Sequence, residues 1–308
     1  MGFGVLGLPI MKILPLFALL LCSGSAGFAA ADLVPAVPVA LSALKARVGP
    51  MAGWKGVVLS FKADSPLTAE QWKAIEGLGV RSFSVDGKGV TNDAFLRLAK
   101  ADPEALSANG TALTDDGFGA IATMRSLQTL SVMHTLNAKD GFTGAGFAQL
   151  KSLPELQKLT LAGTGCREQA FDAIGELSLL KDFSAWHSQY GDPSHPYLLR
   201  LKRLESLRLG NSLRRYDGKP RQLCLTDATL STLSQVVSLK SLGLMQAKLS
   251  LPALLQLKSL PNLTSLRLDD VDLSTADYDQ LRAAMPKVRI IGNPLTDAAR
   301  SKLEEFLK

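Results

Sequence analysis

The chain has 308 residues, of which 46% are hydrophobic, 20% charged and 6% aromatic. This composition excludes a disordered protein and suits a large buried core, which must be built from aliphatic side chains because aromatic ones are scarce. The formal net charge of +6 is mild and comes without a dense basic run, so it predicts no nucleic-acid partner.

The first 31 residues predict an export signal. Lys12 supplies a positive charge, residues 13–22 are apolar, and Ala29 and Ala31 fit a cleavage site before Asp32. The apolar run is about half of the ~20 residues that a membrane span needs. We therefore expect an exported protein, periplasmic or extracellular, with no membrane span once the signal is removed. An uncleaved membrane anchor, or a lipid on Cys22, is the alternative.

After Val57 the sequence repeats with a period close to 24 residues. Leu159, Phe183 and Leu207 hold the same place in three successive units. That place recurs, making ten units, at Leu59, Phe83, Leu106, Leu130, Leu242, Leu266 and Val288. Each unit predicts a short strand with alternating apolar residues, a turn and a helix. One unit cannot bury its apolar face alone, so the units must stack into a solenoid with parallel strands on one face and helices on the other.

Hydroxyl side chains mark the predicted helix starts. They are Thr68, Thr91, Thr114, Thr226, Ser274 and Thr296. A hydroxyl there accepts a hydrogen bond from an amide that the first helical turn leaves unpaired, and Thr68 with Gln71 has the sequence of a capping box. Two units depart from the pattern. Arg167 replaces the threonine in one, and the two prolines of residues 190–199 should distort the helix of the next.

A further inward residue follows each strand. It lies seven places after the strand's first apolar residue, at Val90, Leu113, Cys166, Tyr190, Leu249 and Leu273. Cys166 is thus predicted to be a core residue and not a nucleophile. Cys224 occupies the neighbouring place two units later, too far away for a disulfide, so we expect two free thiols. The cysteine spacing indicates neither a zinc site nor a disulfide framework, and we expect no cofactor.

The repeat unit resembles a known family. Its pattern, L-x-x-L-x-x-L-x-L followed by L-T-D-x-x-L, is visible in residues 124–135 and 260–281 and is similar to the leucine-rich repeats of exported bacterial proteins. Residues 44–61 resemble the N-terminal caps of that group. The resemblance implies an α/β leucine-rich-repeat horseshoe of about ten 24-residue units, with the parallel sheet concave and the helices convex. A doubly wound sheet, the alternative, has no reason to keep so constant a spacing.

The expected organisation has three parts: a signal peptide over residues 1–31, an N-terminal cap over 32–56, and a repeat domain with a C-terminal cap over 57–308. Strand alternation then predicts which side chains face the open concave surface. One place after the first apolar residue lie Ser60, Ser84, Ser107, Ser131, Thr160, Ser184, Arg208, Gly243 and Arg267. Three places after it lie Lys62, Asp86, Asn109, Met133, Ala162, Trp186, Gly210, Met245 and Asp269.

These two columns carry the candidate binding features. The hydroxyl ladder of the first column is either an ordinary solvated strand face or a trough for an extended chain or glycan. Trp186 is predicted to be exposed, and exposed tryptophan is enriched at binding hot spots. His134 and His187 share one column with Gly163 between them, about 10 Å apart, too far to share one zinc ion. His195 is expected in a solvated loop.

Two units are longer than the period. The extra residues, 135–142 and 213–224, should emerge on one rim and flank the units of Ala162 and Trp186. Insertions on one face of a repeat array often mark the binding side. A tolerated surface insertion without a binding role would show the same sequence pattern. The second insertion is basic, and we interpret it as a clamp.

The sequence therefore predicts a non-catalytic binding or scaffold protein that recognises a protein or an acidic cell-envelope polymer through its concave face. The predicted ligand-binding residues are Met133, His134, Trp186, His187, Arg208, Arg214, Arg215, Tyr216 and Arg221. One alternative is a structural envelope spacer without a specific ligand. Another is a hydrolase that uses Cys166, His134 or His187, although the sequence contains no catalytic or metal-binding motif.

Overall fold

A computed structural model of the protein describes residues 34–135, 141–212 and 223–308. In these ranges a single sheet of eleven strands runs in chain order from β1 to β11. The strands are β1 Arg47–Gly49, β2 Val58–Lys62, β3 Ser82–Asp86, β4 Ala105–Asn109, β5 Thr129–Met133, β6 Lys158–Ala162, β7 Asp182–Trp186, β8 Ser206–Gly210, β9 Ser241–Ala247, β10 Ser265–Val271 and β11 Arg289–Ile291.

The predicted period sets the register of this sheet. From β2 onward each strand is parallel to the next, while β1 is antiparallel to β2. The first apolar residues of the units pair in one row, from Leu59 with Phe83 through to Leu242 with Leu266. The prediction of Val288 for the last unit is wrong, because Ile290 pairs with Leu266. Ile290 lies 24 residues after Leu266, so the last unit keeps the period and the predicted Val288 is two residues too early.

Helical segments connect the strands and pack on one face of the sheet. The α-helices are α1 Ala69–Gly77, α2 Asn92–Leu98, α3 Phe118–Ile121, α4 Glu168–Gly175, α5 Asp227–Leu233, α6 Leu251–Leu255, α7 Thr275–Ala284 and α8 Asp297–Leu307. Segments of 3₁₀-helix cover Val39–Leu44, Ala99–Ala101, Asp115–Gly117, Ala145–Ser152, Asp192–Arg200 and Gln256–Ser259. Strand and helix side chains together bury one continuous, mainly aliphatic core.

The hydroxyl residues lie at the helix starts as predicted, but not all of them cap by side chain. Thr68, Thr226, Ser274 and Thr296 accept from amides in the first turn, and Thr68 forms the expected capping box with Gln71. Thr91 and Thr114 make no such bond. The Thr114 hydroxyl instead accepts from Asn92 Nδ2 at 2.7 Å, which links two successive units. Ser250 caps α6, a start that the sequence pattern did not identify.

The two irregular units depart in the predicted way. Arg167 stands at the start of α4 and makes no side-chain cap. The proline-containing segment forms the 3₁₀-helix Asp192–Arg200, with Pro196 inside it.

The expectation for His195 is wrong, because its side chain is fully buried and not solvated. The ring centroid lies 6.2 Å from that of Phe171 and 6.1 Å from that of Tyr190. The 3₁₀-helix turns this position towards the core, where Nδ1 donates to the Asp192 carbonyl oxygen at 3.1 Å. Burial lowers the pKa of His195 to about 4.

The inward turn residues are buried, as predicted. Cys166 and Cys224 are both fully buried, and neither forms a disulfide. Among the helices of the described ranges, none combines the length and the apolar character that a bilayer crossing requires.

Candidate functional site

The open face of the sheet carries three partly exposed apolar side chains in one row, on every second strand. Met133 pairs with Ala162, which pairs with Trp186, and Gly210 pairs with Met245. Large residues therefore alternate with small ones along a single row. Ala162 is only 3% exposed, because larger neighbours flank it on both sides. We name Met133, Trp186 and Met245 the apolar strip.

Gly210 makes the second half of this strip possible. A Cβ atom at Gly210 would lie 2.7 Å from both Trp186 Cβ and Met245 Cγ, closer than side-chain atoms approach one another. The absence of a side chain thus lets Trp186 and Met245 meet across β8. The two residues form one surface instead of two separate ones.

Trp186 is partly buried, so the prediction that it is exposed needs correction. The guanidinium carbon of Arg208, on the next strand, lies 5.6 Å from the centroid of the Trp186 ring. Contacts of this kind are worth about 0.5–1 kcal/mol at exposed sites. The small neighbours Ala162 and Gly210 leave room for the Trp186 ring, and the Arg208 guanidinium lies over that ring.

Asp269 on β10 holds two arginines in place, Arg208 on β8 and Arg267 on its own strand. Asp269 Oδ2 accepts from Arg267 Nε at 2.7 Å and from Arg208 Nη2 at 3.4 Å. Gly243 lies between them, and a Cβ there would be 3.1 Å from Arg208 Cγ, so the arginine stem crosses the strand at close range. We name Arg208 and Arg267 the arginine pair. Two cations share one carboxylate, which leaves a net positive charge.

Arg208 keeps most of its hydrogen-bonding capacity. Its side chain is 45% exposed, and among the described residues it donates only to Asp269. A guanidinium has five N–H donors in a planar fork that matches a carboxylate or phosphate. The apolar strip can therefore bind an anionic group beside it, at Arg208 on β8 between Trp186 and Met245.

The hydroxyl ladder runs beside the strip. Register pairs Ser60, Ser84, Ser107, Ser131, Thr160 and Ser184 in one unbroken row, which ends at Arg208. Ser107 is buried and the others are partly exposed. The row offers short hydroxyl groups one strand spacing apart and continues directly into the arginine pair.

His134 lies at the rim in a polar array of three successive units. It is exposed and has a positive φ of 52°. Asn109 Nδ2 donates to the Asp86 carboxylate, so Asn109 Oδ1 faces His134 and accepts from its Nδ1–H at 2.6 Å. The array links Asp86, Asn109 and His134 across three successive units.

His187 lies at the same rim and makes different contacts. Its Nε2 is 2.6 Å from Gln246 Oε1, and its ring centroid is 5.8 Å from that of Phe306 on α8. His187 is thus engaged with the C-terminal helix, next to the strip but not part of it. His134 and His187 do not meet, and no group of three metal-ligating side chains occurs in the ranges that the structure describes.

The other predicted site residues are placed only in part. Met133 lies two strands from Trp186, across Ala162, and Arg208 contacts Trp186 directly. The predicted clamp residues Arg214, Arg215, Tyr216 and Arg221 lie outside the described residues, as does most of the first insertion.

The sequence pattern missed three contributors to this region. Asp269 stood in the outward column, but a column position does not show that it pairs with two arginines. Gln246 and Phe306 come from outside the two columns, and Phe306 lies on a helix after the last strand. The pattern contained no signal for them because their contacts join distant units.

The thiol arrangement does not favour a cysteine nucleophile. Burial raises the pKa of Cys166 to about 12, and the Thr164 hydroxyl accepts from the Cys166 backbone amide at 3.4 Å. Nucleophilic cysteines lie in exposed, electropositive settings that lower the thiol pKa. Cys166 fills the inward core position that Leu113 holds in another unit.

No protein family and no curated protein matches the sequence. Three similar solved structures are an internalin from Listeria monocytogenes, TLR13 in complex with the RNA ssRNA13, and the plant peptide hormone receptor RGFR1 in complex with RGF2. Each is 16% identical to this chain, with TM-scores of 0.45, 0.46 and 0.42. The matches cover 69%, 75% and 80% of this chain but 61%, 35% and 41% of those chains.

The comparisons concern the fold alone. They leave the predicted exclusion of nucleic acid as a prediction. The fold itself follows from the register and the core: one strand, one inward turn residue and one helical segment recur with each period and share a single aliphatic interior. The described part of the chain is therefore an α/β leucine-rich-repeat solenoid.

Proposed function

We propose that this protein is a non-catalytic binding protein that recognises a protein or an acidic cell-envelope polymer through the concave face of its sheet. The observation that carries the proposal is the apolar strip, whose members lie on β5, β7 and β9 beside the arginine pair. Tryptophan and arginine are the residue types most enriched at hot spots, and methionine adapts to varied partner surfaces. A ligand with apolar groups beside a carboxylate fits this surface.

The proposed place of action is outside the cytoplasm. The signal sequence supports it, through Lys12, the apolar run that follows and the small residues before Asp32. Secretion of the full chain, with N-terminal sequencing of the product, tests this part. A product that starts at Asp32 agrees with the proposal, and retention in the cytoplasm contradicts it.

The binding proposal is tested with the chain from Asp32 onward, immobilised and exposed to cell-envelope extract. Trp186→Ala and Arg208→Gln should each reduce retention about tenfold, the loss expected for one hot-spot residue. Trp54→Ala and Arg203→Gln are matched controls away from the strip and should retain the ligand. Extract treated beforehand with protease, glycan hydrolase or nuclease shows which class of ligand is held.

Two results would contradict the proposal. Full retention by Trp186→Ala, with the fold intact by circular dichroism, would remove the strip from the binding site. If the wild-type chain retains nothing above a blank surface, the structural-spacer alternative is favoured instead.

A further inference from the structure

The members of the apolar strip repeat at a fixed distance that selects among ligand conformations. Met133, Trp186 and Met245 lie on β5, β7 and β9, every second strand of the sheet. Neighbouring strands are about 4.8 Å apart, so the strip repeats at about 9.6 Å along the backbone. Side chains that point into a concave face converge, so their tips repeat at slightly less than this distance.

Regular peptide conformations differ in the distance between residues on one face. A polyproline II segment has three residues per turn and rises about 3.1 Å per residue, so one face repeats at about 9.3 Å. An α-helix presents residues seven apart at about 10.5 Å, and a β-strand presents alternate residues at about 6.8 Å. The polyproline II repeat of about 9.3 Å is slightly shorter than the strip's backbone repeat of about 9.6 Å. It therefore matches side-chain tips that converge on a concave face.

The position of the strip also excludes addition of a ligand strand to the sheet. Strands β5 to β9 are paired on both sides, so their backbone amides and carbonyls are already engaged. A peptide that binds by strand addition needs a free sheet edge. A ligand on the strip must therefore lie across the strands and must carry its own solvated backbone. Polyproline II has no internal hydrogen bonds, so its carbonyl groups are free to accept.

The surface beside the apolar strip offers hydrogen-bond donors and positive charge to such a segment. Ser131, Thr160 and Ser184 flank the strip on consecutive strands and are partly exposed. Their hydroxyls can donate to carbonyl groups of a segment on the strip. At the end of this row the arginine pair shares one carboxylate, which complements an acidic residue on the ligand.

We propose that the concave face binds a proline-rich, acidic protein segment in the polyproline II conformation, with every third side chain on the apolar strip and a carboxylate on Arg208. This inference rests on the proposed binding function and names the class of its partner. The segment lies along the solenoid, across β5 to β9.

The test uses synthetic peptides with the chain from Asp32 onward. The main probe has three leucines, one at every third place, with two aspartates between the last two leucines and proline elsewhere; a second version carries the aspartates between the first two leucines. Two peptides of the same length and charge serve as comparisons, one with leucine at alternate places and one with a helical heptad pattern. An anionic glycan and a single-stranded RNA complete the set.

Calorimetry measures affinity. Trp186 fluorescence, in a Trp54→Phe, Trp72→Phe background, reports contact with the strip.

We expect one of the two main probes to bind at least tenfold more tightly than each comparison ligand. Trp186→Ala should weaken it about tenfold, and Arg208→Gln should weaken it but leave a probe with asparagine in place of aspartate unaffected. Arg203→Gln is the control and should bind as the wild type does.

Tighter binding of the helical peptide, the glycan or the RNA would overturn the proposal, and so would equal binding of all peptides. If envelope retention depends on Trp186 while neither main probe binds, this inference fails and the proposed function stands.

Discussion

At the scale of single residues, His195 is a titratable group held entirely inside the core. Its Nδ1 has a partner, the Asp192 carbonyl oxygen, but its Nε2 has none among the described residues. The Asp192 carboxylate, 3.6 Å from Nδ1, would favour a protonated imidazole. The larger effect is the cost of burying the charge with Nε2–H unsatisfied beside Phe171 and Tyr190. The folded protein therefore holds His195 in the neutral form.

This predicts a loss of stability in mild acid. The folded-state pKa of His195 is about 4, below the ordinary value of 6.5, so the unfolded chain binds more protons between these values. Stability falls as the pH drops through this window, by up to roughly 3 kcal/mol from this residue alone. Urea unfolding at pH 7 and pH 4.5 should show a smaller pH effect in His195→Gln than in the wild type. His134→Gln removes an exposed imidazole and is the matched control. Equal pH effects in all three proteins would contradict the assignment.

Cys166 supports a second prediction at this scale. Its thiol is fully buried and its pKa is raised to about 12, first of all by desolvation, so almost no thiolate exists at neutral pH. In the chain from Asp32 onward we expect neither Cys166 nor Cys224 to react with a thiol reagent at pH 7 until the chain is unfolded. Mass spectrometry of the labelled protein measures this. Rapid modification of Cys166 in the native state would favour the thiol-hydrolase alternative.

Sequence alternation identified which residues face outward but not what they contact. It placed Trp186, Met133 and Met245 in one column, because strand periodicity is a local property of the backbone. It did not show that Gly210 brings Trp186 and Met245 together, or that Asp269 holds two arginines. These arrangements depend on which strands are neighbours and on side-chain rotamers, and neither is encoded within one unit.

At the scale of elements, α8 is attached to the rim by few contacts. Leu303 is its one buried residue, and its ion pairs join Arg300 to Asp272 at 2.9 Å and Glu304 to Lys248 at 2.9 Å. Phe306 lies beside His187, close to the binding face. Surface ion pairs contribute little, typically below about 1 kcal/mol each. Leu303 must therefore supply much of the docking energy of this helix.

Leu303→Ala should release α8 and leave the distant repeats intact. A leucine-to-alanine change at a buried site costs about 2–5 kcal/mol. In a solenoid each unit contacts only its neighbours, so the loss stays local. Hydrogen exchange should show faster exchange in α8 and unchanged protection in β2 to β5. Lys302→Ala, at the adjacent exposed position, is the control. Faster exchange throughout the sheet would show that α8 stabilises the whole array.

The helical connections show how far a repeat pattern predicts local structure. Capping hydroxyls correctly placed the starts of α1, α5, α7 and α8, since a side-chain cap is a short-range interaction. The pattern did not predict that Ala145–Ser152 would form a 3₁₀-helix. Tight packing against neighbouring units selects the narrower helix, and that choice depends on tertiary contacts.

At the scale of the whole molecule, the sheet has two edges that stacking alone does not protect. The three-residue strand β1 pairs antiparallel with β2, and the three-residue strand β11 covers β10, which has seven residues. Short edge strands limit pairing with other molecules. The period predicted the stack of units, whereas the antiparallel pairing of β1 could be expected only from the resemblance to known N-terminal caps.

The last strand should therefore control self-association. Deletion of residues 286–308 removes β11 and α8 and leaves the long β10 as an open edge beside the apolar side chains of its unit. An exposed, flat edge strand is a template for pairing with a second copy, so this variant should form larger species on size-exclusion chromatography with light scattering. Deletion of residues 297–308 removes α8 but keeps β11 over β10, and it should associate much less. Equal association of the two variants would mean that α8, and not β11, protects this end of the sheet.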